Sequence, residues 1–143
     1  MQSFDRDDET GYLYFIQVRN GEYGSDTHGV TSECKKPVIL TKWEWNESTN
    51  TRTASNMFLD YAGHGSNMSV YRHKGQVYIV MGGNQATTGS SDPREILIFP
   101  FVPSTQNIKL KDNSFTVNGV RYKIARFLSI PMDTKPITDI MTM

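Results

Sequence analysis

The sequence predicts an all-β fold of repeated small antiparallel sheets, and its composition, its alternating patterns and an internal repeat all indicate this class. Of the 143 residues, 33 are β-branched (9 Val, 10 Ile and 14 Thr) and 16 are aromatic, whereas Ala and Leu together number only 10. β-Branched and aromatic side chains favour strands, while Ala and Leu favour helices. The composition therefore excludes a helical bundle.

The chain divides into short strands separated by turns rich in Gly, Ser, Thr, Asn and Asp. Alternation of apolar and polar residues with a period of two predicts these strands. The predicted strands are Tyr12–Arg19, Pro37–Asn46, Met57–Tyr61, Asn67–Arg72, Gln76–Met81, Glu95–Phe101, Ser114–Val117 and Arg121–Leu128. Turn residues predict loops at 20–31, 47–56 and 82–93, and a tail from residue 131.

A short motif, a glycine followed three residues later by a tyrosine, occurs three times among apolar residues. The copies are Gly11 to Tyr14, Gly75 to Tyr78 and Gly119 to Tyr122. They begin 64 and 44 residues apart, and a four-stranded propeller blade spans roughly 40 to 50 residues. The spacing predicts a single all-β domain of two to three blade-like repeats, at about 2–61, 62–112 and 113–143, with a β-sandwich as the alternative.

Two stretches carry a resemblance to a known family. Gln2-Ser3-Phe4-Asp5 precedes the first glycine motif, and Gly63-His64-Gly65-Ser66-Asn67-Met68-Ser69-Val70 precedes the second. Over residues 2–81 the sequence resembles the helveticin J-like and phage tail receptor-binding β-propellers of Gram-positive systems, in which such strand entries mark successive blades. The resemblance implies about five blades, which need on the order of 250 residues. We therefore expect other protein chains, or further copies of this one, to complete the propeller.

Charge and hydropathy exclude several other classes. Lysine plus arginine and aspartate plus glutamate each total 15, so no net charge attracts nucleic acid. The acidic segment 1–9 is not a signal peptide, and the longest apolar run, 96–102, is too short to span a membrane. The single cysteine, Cys34, excludes an internal disulfide.

The strongest candidate binding residues are two tryptophans in the segment Lys-Trp-Glu-Trp-Asn. Trp43 and Trp45 lie on one face of a strand, with Lys42 and Glu44 on the other. The pattern favours packing of these two indoles in the core. If they are exposed, neighbouring indoles suit the apolar faces of sugar rings. Cations suit anionic phosphate, and the nearby candidates are Lys42, Arg52, Arg72, His73 and Lys74. The combination fits a sugar-phosphate polymer.

Several glycines have predicted structural roles. Gly11 and Gly75 stand at hairpin turns, and Gly63 and Gly65 flank His64, whose imidazole we expect to bond to backbone at a strand entry.

The sequence contains no recognised catalytic or metal-binding frame. Asp5, Asp7 and Glu9 alternate as calcium ligands do, but an EF-hand loop starting at Asp5 requires Gly and Glu where Thr10 and Ile16 stand. The three histidines fit no zinc pattern, and no serine lies in a G-x-S-x-G elbow. We therefore expect no metal, no cofactor and no enzymatic activity.

The resemblance implies a carbohydrate-binding module of a phage tail or baseplate receptor-binding protein that recognises host cell-wall polymer such as teichoic acid. Its location is then the virion or the extracellular space. Two alternatives remain open: a helveticin-like bacteriocin, and a glycan or phosphodiester hydrolase on the same scaffold, for which paired carboxylates such as Asp60 and Glu95 are available.

Overall fold

The computed structural model describes residues 3–18, 38–60, 62, 67–85 and 93–128, which contain strands and turns but no helix. The strands are β1 (Ser3–Arg6), β2 (Leu13–Val18), β3 (Val38–Asn46), β4 (Thr51–Asp60), β5 (Met68–His73), β6 (Gln76–Gln85), β7 (Pro93–Pro100), β8 (Asn107–Lys109), β9 (Ser114–Val117), β10 (Val120–Lys123) and β11 (Ala125–Leu128). Gly63, His64 and Gly65, for which we predict structural roles, lie outside the described residues. Within the described ranges, no helix has the length and apolar character that a bilayer span needs.

The strands form three separate sheets. A five-stranded sheet has the order β1-β2-β3-β4-β8, a four-stranded sheet has the order β11-β7-β6-β5, and β9 and β10 form a two-stranded hairpin. All pairs are antiparallel except β4 with β8. The prediction of an all-β fold with repeated small antiparallel sheets is therefore confirmed. None of the three described sheets closes on itself, an arrangement consistent with a partial propeller and with a sandwich.

The three glycine motifs correspond to three hairpins, one in each sheet. Gly11 lies between β1 and β2, Gly75 between β5 and β6, and Gly119 between β9 and β10. Each glycine has a φ close to +80°. In all three hairpins the motif supplies a glycine with positive φ before a strand with an early tyrosine. The connection has two residues at Gly75 and Gly119 but six residues at Gly11.

One hydrophobic core lies between the two larger sheets. It receives alternate residues of β2, β3 and β4 from one sheet and of β6 and β7 from the other, because successive strand residues point to opposite faces. The fully buried large side chains are Tyr14, Ile16, Val38, Leu40, Met57, Leu59, Ile79, Met81, Leu97, Phe99 and Leu110. The ring of Tyr14 packs edge-on against Phe101, with centroids 5.2 Å apart. Burial raises the pKa of Tyr14 to about 12.

The edges of the two sheets also meet through side chains. Strands β1 and β5 lie next to each other, and the backbone N–H of Val70 donates a 2.7 Å hydrogen bond to Asp5 Oδ2. Strand β5 is the edge strand of its sheet among the described residues, and this bond satisfies a donor on that edge. The carboxylate of Asp5 therefore joins the sheets where no backbone ladder does.

Four features differ from the sequence prediction. Strand β6 continues to Gln85, so residues 82–85 of the predicted loop 82–93 are strand. Strand β4 begins at Thr51, so much of the predicted loop 47–56 is strand and only 47–50 remain as a turn. Segment 121–128, predicted as one strand, is split between β10 and β11, which belong to different sheets. The short strand β8 was not predicted at all, because three residues give too little alternation to detect.

The geometry of the β5–β6 turn explains why a glycine stands at position 75. His73 pairs with Gln76, which leaves Lys74 and Gly75 as a two-residue loop with φ values of 50° and 80°. Positive φ at both positions is the type I′ geometry, and it matches the right-handed twist of the flanking strands. No atom lies within 4 Å of a Cβ built on Gly75, so strain rather than a clash limits substitution.

Replacing Gly75 with Ala is expected to destabilise the protein by about 1–2 kcal/mol, because a Cβ disfavours the left-handed conformation. Urea unfolding followed by tryptophan fluorescence would measure the loss. The control is Lys74→Gly, which removes a side chain from the same turn without adding strain and leaves the stability nearly unchanged. Equal losses in both variants would contradict the assignment of the strain to Gly75.

Candidate functional site

The hairpin of β3 and β4 projects beyond its neighbouring strand. The two strands pair from Val38 opposite Leu59 to Asn46 opposite Thr51, whereas β2 begins only at Leu13, opposite Trp43. Among the residues that the structure describes, 44–46 and 51–53 therefore pair only with each other, and we call residues 44–53 the hairpin arm. At its tip, Asn46 Oδ1 accepts the backbone N–H groups of Ser48 (3.0 Å) and Thr49 (3.4 Å), which fixes the turn.

The two tryptophans lie on the side of the five-stranded sheet that faces away from the core, which we call the outer face. Val38 and Leu40 point into the core, and the alternation of β3 places Trp43 and Trp45 on the opposite side. Trp43 is 38% exposed and Trp45 is 52% exposed. The favoured prediction, that this pair packs in the core, is therefore wrong, because both indoles are exposed on the outer face.

Arg52 joins the tryptophans on this face. It stands directly opposite Trp45 in the β3–β4 ladder, and its guanidinium carbon lies 6.0 Å from the indole centroid. A cation at this distance is attracted by the ring quadrupole, so it remains close to the indole while staying accessible. We call Trp43, Trp45 and Arg52 the indole surface. It combines flat apolar area with one positive charge.

The register extends this surface across the sheet. Trp43 is opposite Leu13, which is opposite Arg6 on β1, and one row further along the strands Phe15 is opposite Phe4. Phe4 is 63% exposed. Arg6 and the two phenylalanines were not among the predicted binding residues. The register of β1 with β2 would have been needed to find them, and the run Leu-Tyr-Phe-Ile is apolar on both faces, so it gives no signal for which face is buried.

Lys42, on the inner side of β3, is already engaged. It forms an ion pair with Glu44, and its Nζ lies 5.1 Å from the ring centroid of Tyr12. These contacts hold its charge on the side of the sheet opposite the indole surface.

Arg72, His73 and Lys74 form a second group at the β5–β6 turn. Arg72 donates to the carboxylate of Asp7 and, at 3.1 Å, to the carbonyl of Gly75. Its Nε is 3.1 Å from Glu9 Oε2, an ion pair without hydrogen-bond alignment. The guanidinium thus ties the four-stranded sheet to the β1–β2 turn, and binding phosphate would require it to give up these partners.

The other two residues of this group are exposed. The ring of His73 lies 6.5 Å from that of Tyr78, which stacks on Tyr71 with centroids 5.3 Å apart. Lys74 occupies the first position of the turn. The two groups of predicted binding residues lie at the same end of the molecule, since the β1–β2 turn contacts Arg72 and leads into Leu13 beside Trp43. Among the described residues, no direct contact joins them.

Asp7 is buried at the β1–β2 turn, where several hydrogen bonds hold its carboxylate. Asp7 is only 4% exposed, and its carboxylate also accepts a 2.6 Å hydrogen bond from Thr10 Oγ1. The hydrogen bond from Arg72 lowers the pKa of Asp7 from 3.8 to about 2, although burial acts in the opposite direction. The same interaction raises the pKa of Arg72.

The described residues include no group of three His, Cys, Asp or Glu side chains that could hold a metal ion. No family model, curated protein or solved structure matches this chain. The assignment of a function therefore depends on the residues and their geometry, together with the sequence resemblance.

The Asp7–Arg72 pair makes stability depend on pH in the acid range. In the unfolded chain the carboxyl of Asp7 binds its proton near pH 3.8, but in the folded protein only near pH 2. Its contribution is therefore complete above about pH 4 and is lost as the pH falls toward about 2. We expect Asp7→Asn to lower the free energy of unfolding at pH 7 by about 1.5–3 kcal/mol, and to flatten its decline below pH 4.

The matched control is Asp8→Asn, a change at the neighbouring, exposed position of the same turn. Urea unfolding at a series of pH values would measure both variants. The assignment fails if Asp8→Asn flattens the acid decline as much as Asp7→Asn does.

Proposed function

We propose that this protein is a carbohydrate-binding module of a phage tail or baseplate that recognises a host cell-wall polymer such as teichoic acid. The single observation that carries the binding proposal is the indole surface: two exposed tryptophans on one strand face with Arg52 stacked over Trp45. The setting in a phage particle rests on the sequence resemblance alone.

The spacing of the tryptophans suits a polymer of rings. Residues two apart on one strand face are separated by about 6.6 Å, so the indoles offer successive apolar platforms along β3. The exposed apolar surface of an aromatic side chain is unfavourable in water. A sugar whose C–H face covers the ring removes part of that surface from water, which favours binding.

Arg52 adds affinity for anionic polymer. Its position opposite Trp45 places a positive charge beside the indole platforms, and a guanidinium binds phosphate in a bidentate manner. A polymer that alternates sugars and phosphates presents both partners at short intervals. This supports a sugar-phosphate polymer over a neutral glycan as the ligand.

Truncating either indole is expected to weaken retention on purified wall teichoic acid about tenfold, because one stacking contact is worth about 1.4 kcal/mol. Trp43→Ala and Trp45→Ala would be tested in a pull-down with immobilised polymer, with released sugar and phosphate measured in the same tubes. Retention without release supports binding, whereas release would favour the hydrolase.

Two controls accompany these variants. Trp45→Phe keeps an aromatic platform and is expected to retain most of the binding. Ile96→Ala truncates a side chain that is 43% exposed on the four-stranded sheet, which is separate from the sheet that carries the indole surface. Unchanged retention in both tryptophan variants would refute the indole surface as the binding site.

We further propose that additional β-sheet, from other chains or further copies, covers the four-stranded sheet. On its outer face Tyr71, Ile96 and Phe127 are 42%, 43% and 55% exposed, and within the described ranges no strand pairs with the outer edge of β11. An apolar sheet face with an open edge favours association.

Light scattering of the purified protein is therefore expected to give a native mass above the 16.3 kDa of one chain, and Phe127→Lys is expected to reduce that mass. A wild-type protein that stays monomeric at all concentrations would favour the self-contained sandwich.

A further inference from the structure

A cleft of about 590 Å³ opens beside the indole surface, between β4, the loop 101–106 and the β9–β10 hairpin. Its size falls within the range of small-ligand sites, roughly 300–1,000 Å³. The lining side chains are Ser55, Asn56, Phe58, Pro103, Ser104, Thr105, Gln106, Thr116, Val117 and Asn118. We call it the polar cleft.

The polar cleft is lined by uncharged side chains. The described lining residues include hydroxyl and amide side chains, one aromatic ring and no acidic or basic group. Hydroxyls and amides both donate and accept hydrogen bonds, and Phe58 supplies an apolar face. These groups complement a ligand that carries several hydroxyls on an apolar ring and no charge.

The walls of the polar cleft are held in place by hydrogen bonds that leave binding groups available. Thr41 Oγ1 donates to Asn56 Oδ1 at 2.8 Å, and the backbone N–H of Ser104 donates to the Asn56 carbonyl at 2.9 Å. Ser104 Oγ in turn bridges the N–H and carbonyl of Gln106, both at 3.1 Å. Within the described part of the chain, no group accepts from Asn56 Nδ2.

The polar cleft continues the indole surface along one strand. Ala54, opposite Trp43, is two residues from Asn56, and all of Arg52, Asn56 and Phe58 lie on the outer face. Asn56 lies four positions after Arg52, which is about 13 Å along β4. A single extended polymer can therefore contact both regions.

We propose that the polar cleft is a subsite for an uncharged sugar ring, positioned to act together with the indole surface. This inference deepens the proposed function and rests on it for the identity of the polymer. The ring stacks on Phe58, and its hydroxyls exchange hydrogen bonds with the amides of Asn56, Gln106 and Asn118.

A double variant in the polar cleft distinguishes binding at the cleft from binding at the indole surface. Asn118 has a φ of 50°, so Asn118→Gly removes its amide without straining the turn, and Gln106→Ala truncates an exposed side chain. The probes are methyl glycosides of neutral hexoses and of an N-acetylhexosamine, with glycerol phosphate as the charged comparison. Binding is followed by NMR titration, including the side-chain amide signal of Asn56.

We expect a neutral glycoside to shift the Asn56 signal more than glycerol phosphate does, and the double variant to weaken that binding about tenfold. The Trp43→Ala/Trp45→Ala variant should bind the glycoside normally while losing polymer. Glycoside binding at the cleft without polymer retention by the wild type would overturn the proposed function but leave the subsite standing.

Polymer retention without any glycoside binding, with full retention by the double variant, would overturn the subsite and leave the proposed function intact. Preference of the cleft for glycerol phosphate would also overturn it. A thermal midpoint within a few degrees of the wild type, measured on the same samples, excludes misfolding as the cause of a loss.

Discussion

The register of β3 against its two neighbours is the constraint on which the rest of the structure depends. One strand buries Val38 and Leu40 in the core and presents Trp43 and Trp45 on the other side of the sheet. A slip of one residue exchanges the two faces, which would bury the indoles and expose the core. The hydrophobic core therefore enforces the arrangement of the candidate binding surface, although the tryptophans contribute little to that core.

Carboxylates of the first hairpin connect the two larger sheets, which share no backbone ladder among the described residues. Asp5 binds a backbone N–H of β5, and Asp7 binds Arg72 of the same strand, so two acidic residues of the first hairpin fasten one sheet to the other. Both interactions bridge the chain over 65 residues. The alternation of acidic residues in this turn, which resembles a set of calcium ligands in the sequence, serves this junction through Asp5, Asp7 and Glu9.

The sequence was sufficient to locate most of the strands, because alternation or flanking turn residues mark them, but it missed β8 and the first residues of β4. It also located the three hairpins, since a glycine with positive φ is a local requirement. It was not sufficient to place side chains that act at long range. Arg72 was predicted to bind ligand because the sequence shows its charge. Its pairing with Asp7 could not be predicted, because it forms only when the two sheets pack together.

The same limit applies to the regions around the tryptophans. Period two placed Trp43 and Trp45 on one face but left open whether that face is buried. The early start of β4 was missed because Thr51 to Ser55 are small or polar residues, which are typical of loops, and here they are held by pairing with β3. The polar cleft was missed for a similar reason: its walls come from three separated segments whose hydroxyls and amides are unremarkable in isolation.

The projection of the hairpin arm beyond β2 has a mechanical consequence. In the described part of the chain, no third strand pairs with the ladder formed by residues 44–46 and 51–53. A two-stranded ladder opens more readily than one enclosed in a sheet. We therefore expect Trp45 and Arg52 to change orientation more readily than Trp43, which pairs with both Leu13 and Ala54. The ability of the surface to adapt to a ligand should therefore increase along β3, from Trp43 toward the tip of the hairpin arm.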